Sequence, residues 1–162
     1  MENRAIIQRS LDYIEENLQT EITAAELAQA AGFSLFHYYR LFQQATGLPV
    51  MQYILRRRLL HGVYAMNLGE RKLDAAMSYG FDTYPGFYKA FCREFGTTPT
   101  EFLEANRARR PYRIDITREE HMTVTHKKAA LVLGNWNLGH ESITDIYCER
   151  TGARQPNAFY LG

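Results

Sequence analysis

Phe36, Tyr39, Arg40 and Gln43 stand at spacings that a helix gathers on one side, because residues three and four apart share a face. Arginine and glutamine pair bidentately with guanine and adenine edges in the major groove of duplex DNA. Exposed aromatic rings can pack on thymine methyls or sugars. The alternatives are a place in the core or chance surface exposure for Phe36 and Tyr39, and a phosphate contact instead of base reading for Arg40. A second set follows 49 positions on, where Tyr88 and Lys89 repeat Tyr39 and Arg40. Tyr84 and Pro85 open that segment, and Arg93 lies one turn beyond Lys89. Lysine keeps the charge but loses the planar fork, so weaker base discrimination is expected from this second set.

Other chemistry is thin. The only two cysteines, Cys92 and Cys148, make no CxxC pair and no Cys/His cluster of zinc spacing, so no metal site is expected. A DNA-repair alkyl acceptor would need an activated thiolate, and Cys92 sits instead within the second set. The chain is therefore read as a non-enzyme, with no catalytic residue and no cofactor.

Charge must be judged locally. The formal net charge is +1, with 13 Lys+Arg against 12 Asp+Glu in residues 1–110 and 6 against 6 afterwards. This balance argues against a non-specific architectural protein, whose affinity would come almost wholly from phosphate neutralisation. No apolar run approaches the ~20 residues that span a bilayer, and no leader pattern opens the chain. A cytoplasmic protein with no membrane partner is expected.

The elements that must carry these side chains are helices. An apolar stripe through Ile6, Ile7, Leu11, Tyr13, Ile14 and Leu18 predicts one over 3–18. Thr23 with Glu26 reads as a capping box for a short helix ended by Gly32, and Ser34 caps another over 35–46 that Gly47 stops. The latter would bury Tyr38, Leu41, Phe42 and Ala45. A connecting helix over 50–68 would be roughly 28 Å long. Its run Arg56-Arg57-Arg58 fans around the axis at about 100° per residue, so the three cannot all face DNA. The usual reading of such a run is a solvated face, with one or two arginines in reach of phosphate. Short and long helices then recur over 73–79 and 84–95, and Pro99 begins a last one.

This recurrence is an internal repeat. Ala28, Gly32 and Phe33 return 48 positions on as Ala76, Gly80 and Phe81; Phe42 and Gly47 return at 49 as Phe91 and Gly96; Pro49 returns at 50 as Pro99. The drift predicts two one-residue insertions. Two helix-turn-helix units on one chain could enter successive major grooves about 34 Å apart.

These residues resemble the AraC/XylS family of bacterial transcription regulators from about Ile7 to Leu103. The signature includes Ala28-Gln29-Ala30-Ala31-Gly32-Phe33-Ser34, Arg40-Leu41-Phe42, Thr46-Gly47, Gly80-Phe81, Phe95-Gly96 and Thr98-Pro99. The resemblance implies a mainly α fold: a seven-helix, double helix-turn-helix, homeodomain-like domain over 4–108, with units at 24–45 and 73–95. It implies sequence-specific binding to double-stranded DNA, transcription regulation (activation in many members), and RNA polymerase as a further partner. The family's base-reading positions fall on Phe36, Tyr39 and Arg40, and on Tyr84, Pro85, Tyr88 and Lys89.

Residues 111–162 form an expected small α+β extension. Tyr112–Thr117 alternates like a strand, 126–138 is helical in pattern, and 143–148 and 159–161 look strand-like. Part of this stretch resembles the start of an aminoglycoside-phosphotransferase-like lobe. Its alternative is a small extension packed on the first domain, with Trp136 and Tyr147 in its core. The alternative for the whole chain is the DNA-binding module of a larger effector-binding or kinase-like fusion, with a small-molecule effector acting through a missing or fused domain.

Overall fold

The computed structural model describes residues 2–106 and 110–117, together with the two-residue strands Asn137–Leu138 (β1) and Glu141–Ser142 (β2). Residues 2–106 carry helices α1 (Glu2–Glu16), α2 (Ala24–Ala30), α3 (Leu35–Thr46), α4 (Val50–Asn67), α5 (Lys72–Ser78), α6 (Tyr84–Phe95) and α7 (Pro99–Asn106).

Local chemistry sets their ends. The Thr23 amide donates to Glu26 Oε2 at 3.0 Å and the Glu26 amide donates to Thr23 Oγ1 at 3.2 Å, closing the expected capping box of α2. Gly32 turns the chain at φ +74°, which lets the Phe33 amide donate back to the Ala28 carbonyl at 3.0 Å. The same closure joins Phe81 to Ala76 at 3.0 Å beside Gly80, at φ +84°. An Ala-Gly-Phe pattern recurs because this turn needs a left-handed residue between a small helical residue and an inward aromatic.

The repeat keeps a simpler register than expected. The α2 and α5 starts lie 48 residues apart, and the α3 and α6 starts 49 apart, so one residue is inserted in the second turn. The spacing then stays at 49, since α4 begins at Val50 and α7 at Pro99. Pro49 therefore corresponds to Thr98, and the second expected insertion is absent. Proline suits both the cap and the first helical position, so it could not fix the register alone.

The core is one continuous apolar cluster. It runs from Ile7, Leu11 and Ile14 of α1 through Tyr38, Phe42 and Tyr53 to Phe87, Phe91 and Phe102. Leu41 and Ala45 pack against it half-buried. Tyr13, assigned to the apolar stripe of α1, is 49% exposed instead. α4 packs between the two halves, and Gly62 permits its close approach to α6: a Cβ there would lie 2.7 Å from the Phe87 ring.

The arginine run on α4 is a correction. It is not a solvated face: two of the three side chains are buried and Arg58 is half-buried. Arg56 is 4% exposed and Arg57 0%. Arg56 Nε donates to Glu94 Oε2 of α6 at 2.9 Å. Arg57 Nη2 donates to Glu15 Oε2 of α1 and to the Tyr112 carbonyl, each at 2.9 Å. Arg58 donates to the carbonyls of Leu18 and Thr20, at 2.9 and 2.6 Å. α4 is surrounded by other elements, so its fanned arginines each meet a different one.

The expected strand over 112–117 is also corrected. The segment runs beside α1 and is held by side chains. Gln8 Nε2 donates to the Ile114 carbonyl at 2.9 Å, and the Ile116 amide donates to Gln8 Oε1 at 2.8 Å. One amide side chain thus does what a neighbouring strand would do, and Pro111 and Ile114 are buried. The helical pattern predicted over 126–138 fails over its last two residues. Asn137 and Leu138 are β1, paired antiparallel with β2 in the register Asn137↔Ser142 and Leu138↔Glu141. The rest of that helix, with Trp136, and the strands expected at 143–148 (holding Tyr147) and 159–161 lie outside the described residues.

Candidate nucleic-acid interface

Helices α3 and α6 are built alike. Ser34 Oγ accepts from the His37 amide at 3.4 Å, and Thr83 Oγ1 accepts from the Gly86 amide at 3.2 Å. Each helix ends on a left-handed glycine, Gly47 at φ +79° and Gly96 at φ +66°. Pro85 lies in the first turn of α6, where its missing N–H has no helical acceptor to lose. A Cβ on Gly86 would stand 3.2 Å from the capping Thr83 hydroxyl, so glycine fits this tight start.

On α3, Tyr38 and Phe42 point inward and are 0% exposed. Phe36 is 73% exposed, and Tyr39, Arg40 and Gln43 are exposed beside it. At about 100° per residue these four cover an arc of about 100° opposite the buried pair. The exposure of Phe36 removes the core alternative for it. The Arg40 guanidinium lies 5.9 Å from the Phe36 ring centre, a cation–π approach between two exposed side chains. His37 is exposed and meets the Phe33 ring edge-on at 4.9 Å.

On α6, Pro85, Tyr88, Lys89 and Arg93 are exposed in the same sector, while Phe87 and Phe91 are buried. Tyr84 differs from the rest, being half-buried against the core, with its ring stacked 6.2 Å from that of Phe87. Position-for-position over the 49-residue shift, Gln43 corresponds to Cys92, which is half-buried, and Arg93 corresponds to Gln44, which is exposed. Gln44 was therefore missed, although the repeat itself points to it. Lys72 was missed too: its ammonium lies 5.4 Å from the Tyr84 ring, so α5 adds a cation at the start of α6. Nothing local in the sequence joins these two.

The charges are sorted although the chain is nearly neutral. α3 contains no acid, and the only acid of α6 is Glu94. Burial raises the Glu94 carboxyl, but hydrogen bonds from Arg56 and Gln52 outweigh it and hold its pKa below the ordinary value. Glu94 therefore stays ionised and paired with α4, and Arg40, Lys89 and Arg93 are left as the charges on the two outward faces. The Arg93–Glu94 contact is 3.6 Å long with Arg93 70% exposed, so it is weak. Among the described residues no His/Cys/Asp/Glu group is arranged to hold a metal, and no helix is long and apolar enough to cross a membrane.

The comparisons with known proteins agree with this geometry. A helix-turn-helix domain family matches residues 27–105. The transcriptional regulator Rob of Salmonella typhimurium is 31% identical over 155 residues, covering 90% of this chain and 54% of Rob. The regulatory protein SoxS of the same species is 30% identical over 103 residues, covering 63% of this chain and 96% of SoxS. The transcriptional activator AarP of Providencia stuartii is 31% identical over 97 residues, 59% of this chain and 72% of AarP. The chain thus spans about half the length of Rob, and that match extends well past α7. Nothing found supports the likeness of the tail to an aminoglycoside phosphotransferase. Two tandem helix-turn-helix units in a single core, together with near-complete coverage of SoxS, place this chain in the AraC/XylS family of helix-turn-helix, DNA-binding transcription regulators.

Proposed function

We propose that the chain binds a specific duplex site with α3 and α6 in successive major grooves and regulates transcription from it. The observation that carries this reading is the paired outward faces: the same sector of two helices, 49 residues apart, exposes aromatic and basic side chains over a shared core. The 18 residues of α4 make the connecting helix about 27 Å long, on the scale of the ~34 Å groove repeat. Phe36, Tyr39, Arg40 and Gln43 read one half-site. Tyr84, Pro85, Tyr88, Lys89 and Arg93 contact the other, with less base discrimination because lysine replaces the fork. The DNA-binding unit is residues 4–108. RNA polymerase as a further partner, a small-molecule effector acting through the part of the protein beyond this unit, and a cytoplasmic location belong to the same reading.

The test is selection of bound duplexes from random DNA at two salt concentrations. Two enriched half-sites about one helical turn apart are expected, with a preference over random DNA that persists as salt rises. Arg40→Ala is expected to cost about 1–3 kcal/mol and to relax one position of the first half-site. Equal losses on every sequence would show that Arg40 touches phosphate alone, and the absence of any enriched motif would overturn the reading.

A further inference from the structure

The second reading helix is fixed to α4 at two points. Near its start, the Phe87 ring seats against Gly62, so closely that an added Cβ would lie 2.7 Å from it. Near its end, the Glu94 carboxylate accepts from Arg56 Nε at 2.9 Å and from Gln52 Nε2 at 3.2 Å, with the Glu94 side chain 10% exposed. The first reading helix meets α4 through the Phe42 and Tyr53 rings, centred 5.5 Å apart, and among the described residues it has no ion pair to α4. Its equivalent of Glu94 is Ala45, packed on the apolar core. The polar ties of its unit to α4 run through α1, by Arg57 with Glu15 and by Arg58 with the carbonyls after α1. Consecutive arginines of one helix therefore hold opposite halves of the protein.

We infer that the Glu94–Arg56–Gln52 clamp is a positioning device for DNA reading: it locks the rotation of α6 about α4 and so sets the half-site spacing the chain accepts. This rests on the two-groove reading above. One base pair of added spacing moves a half-site by about 3.4 Å along the axis and about 35° around it. Rigid heads cannot follow such a step, and heads joined by a loosened seam can. Glu94 touches no base in this account and acts only through the placement of Tyr88, Lys89 and Arg93.

The experiment measures affinity for the duplex that the chain itself selects from random DNA, and for the same duplex with its half-sites one base pair closer or farther. The parent chain is expected to prefer its own spacing by about tenfold or more, the scale of losing one base contact. Glu94→Ala is expected to reduce that preference at least threefold while affinity for a duplex holding only the first half-site is unchanged. Arg71→Ala, which breaks an exposed ion pair elsewhere in the second unit, is expected to leave the preference intact. If Glu94→Ala does not fold, Glu94→Gln and Gln52→Ala carry the same comparison. A spacing preference that survives in a folded clamp variant overturns the inference, as does a uniform loss on all spacings and on the single half-site. A second readout needs no DNA: the distance distribution between spin labels at positions 44 and 89, with Cys92 and Cys148 changed to serine. Broadening in the clamp variant supports the inference, and an unchanged width overturns it even if the chain selects no motif.

Discussion

Replacing Gly62 by alanine sets helix propensity against packing. On propensity alone, alanine inside α4 would stabilise by roughly 0.8–1 kcal/mol. The structure predicts the opposite sign. The new Cβ would lie 2.7 Å from Phe87 Cε2 and 3.1 Å from Cζ, where ordinary contact begins at 3.4 Å. Phe87 is fully buried, with the rings of Phe81 and Phe91 centred 5.1 and 6.1 Å away, so it has little room to swing. α6 must then shift by about 0.7 Å in a close-packed interior. Overpacking of this kind costs about 1–3 kcal/mol, leaving a net destabilisation of about 0–2 kcal/mol after the propensity gain. The larger effect falls on reading, because Tyr88 and Lys89 directly follow Phe87 on the shifted helix. Hydrogen bonds hold over a window of about 0.5 Å, and losing a base contact costs about 1–3 kcal/mol. Thermal melts and binding isotherms on the selected duplex and on random duplex are the assay. The expected result is an equal or lower Tm, a fall of about fivefold to a hundredfold on the selected duplex, and unchanged affinity for random DNA. A raised Tm with unchanged affinity would refute the argument.

The other expectations concern the buried charges and the second reading helix. Glu15→Ala strands the Arg57 guanidinium, whose side chain is 1% exposed, and is expected to cost about 3–5 kcal/mol in denaturant melts. A loss below about 1 kcal/mol would show that the Tyr112 carbonyl and water suffice. Burial raises the Glu15 carboxyl, but hydrogen bonds from His61 and Arg57 and the Arg57 charge outweigh it, so its pKa lies below the ordinary 4.5. The unfolded chain therefore binds the proton first: the stabilisation is complete above about pH 4.5 and is lost as pH falls through the lower, folded value. Stability measured from pH 7 to 3 should show this acid limb, and Glu15→Gln should flatten it. Lys89→Arg restores the fork on α6 and is expected to sharpen one base position of the second half-site in a repeated selection, with little change on random DNA.

Helix ends were legible because their causes are local. Thr23 with Glu26, Ser34 before α3, and the glycines at 47 and 96 act within a few residues, and each lies where the pattern put it. The inward face of α3 was legible through periodicity. What escaped the sequence is set by distant partners. Arg57 meets Glu15 across 42 positions, Arg56 meets Glu94 across 38, and Gln8 meets Ile114 and Ile116 across 106 and 108. A run of three arginines reads as solvated only while their acids are out of view. Tyr84 fell half-buried for a similar reason. Its ring meets Phe87 on its own helix and Lys72 from α5, and only the first is visible from spacing.

The two reading units share a register but are not equivalent, and the difference follows from what supports them. The first has the capping box under α2, α1 packed beneath α3, and the 110–117 segment fastened to α1 by Gln8. It also carries the guanidinium fork and a run of polar side chains on a helix with no acid. The second replaces the capping box with an exposed Arg71–Asp74 ion pair at 2.9 Å, which adds little. It starts on Pro85-Gly86, carries lysine in place of arginine, and has an acid within the reading helix. That acid would repel phosphate if it pointed outward. Turned inward, it neutralises Arg56 and fastens the helix, so one pairing both clears the outward face of negative charge and holds the helix that bears it. A nearly neutral chain can therefore present basic side chains on both outward faces, because α3 has no acid and the one acid of α6 is spent on pairing with α4.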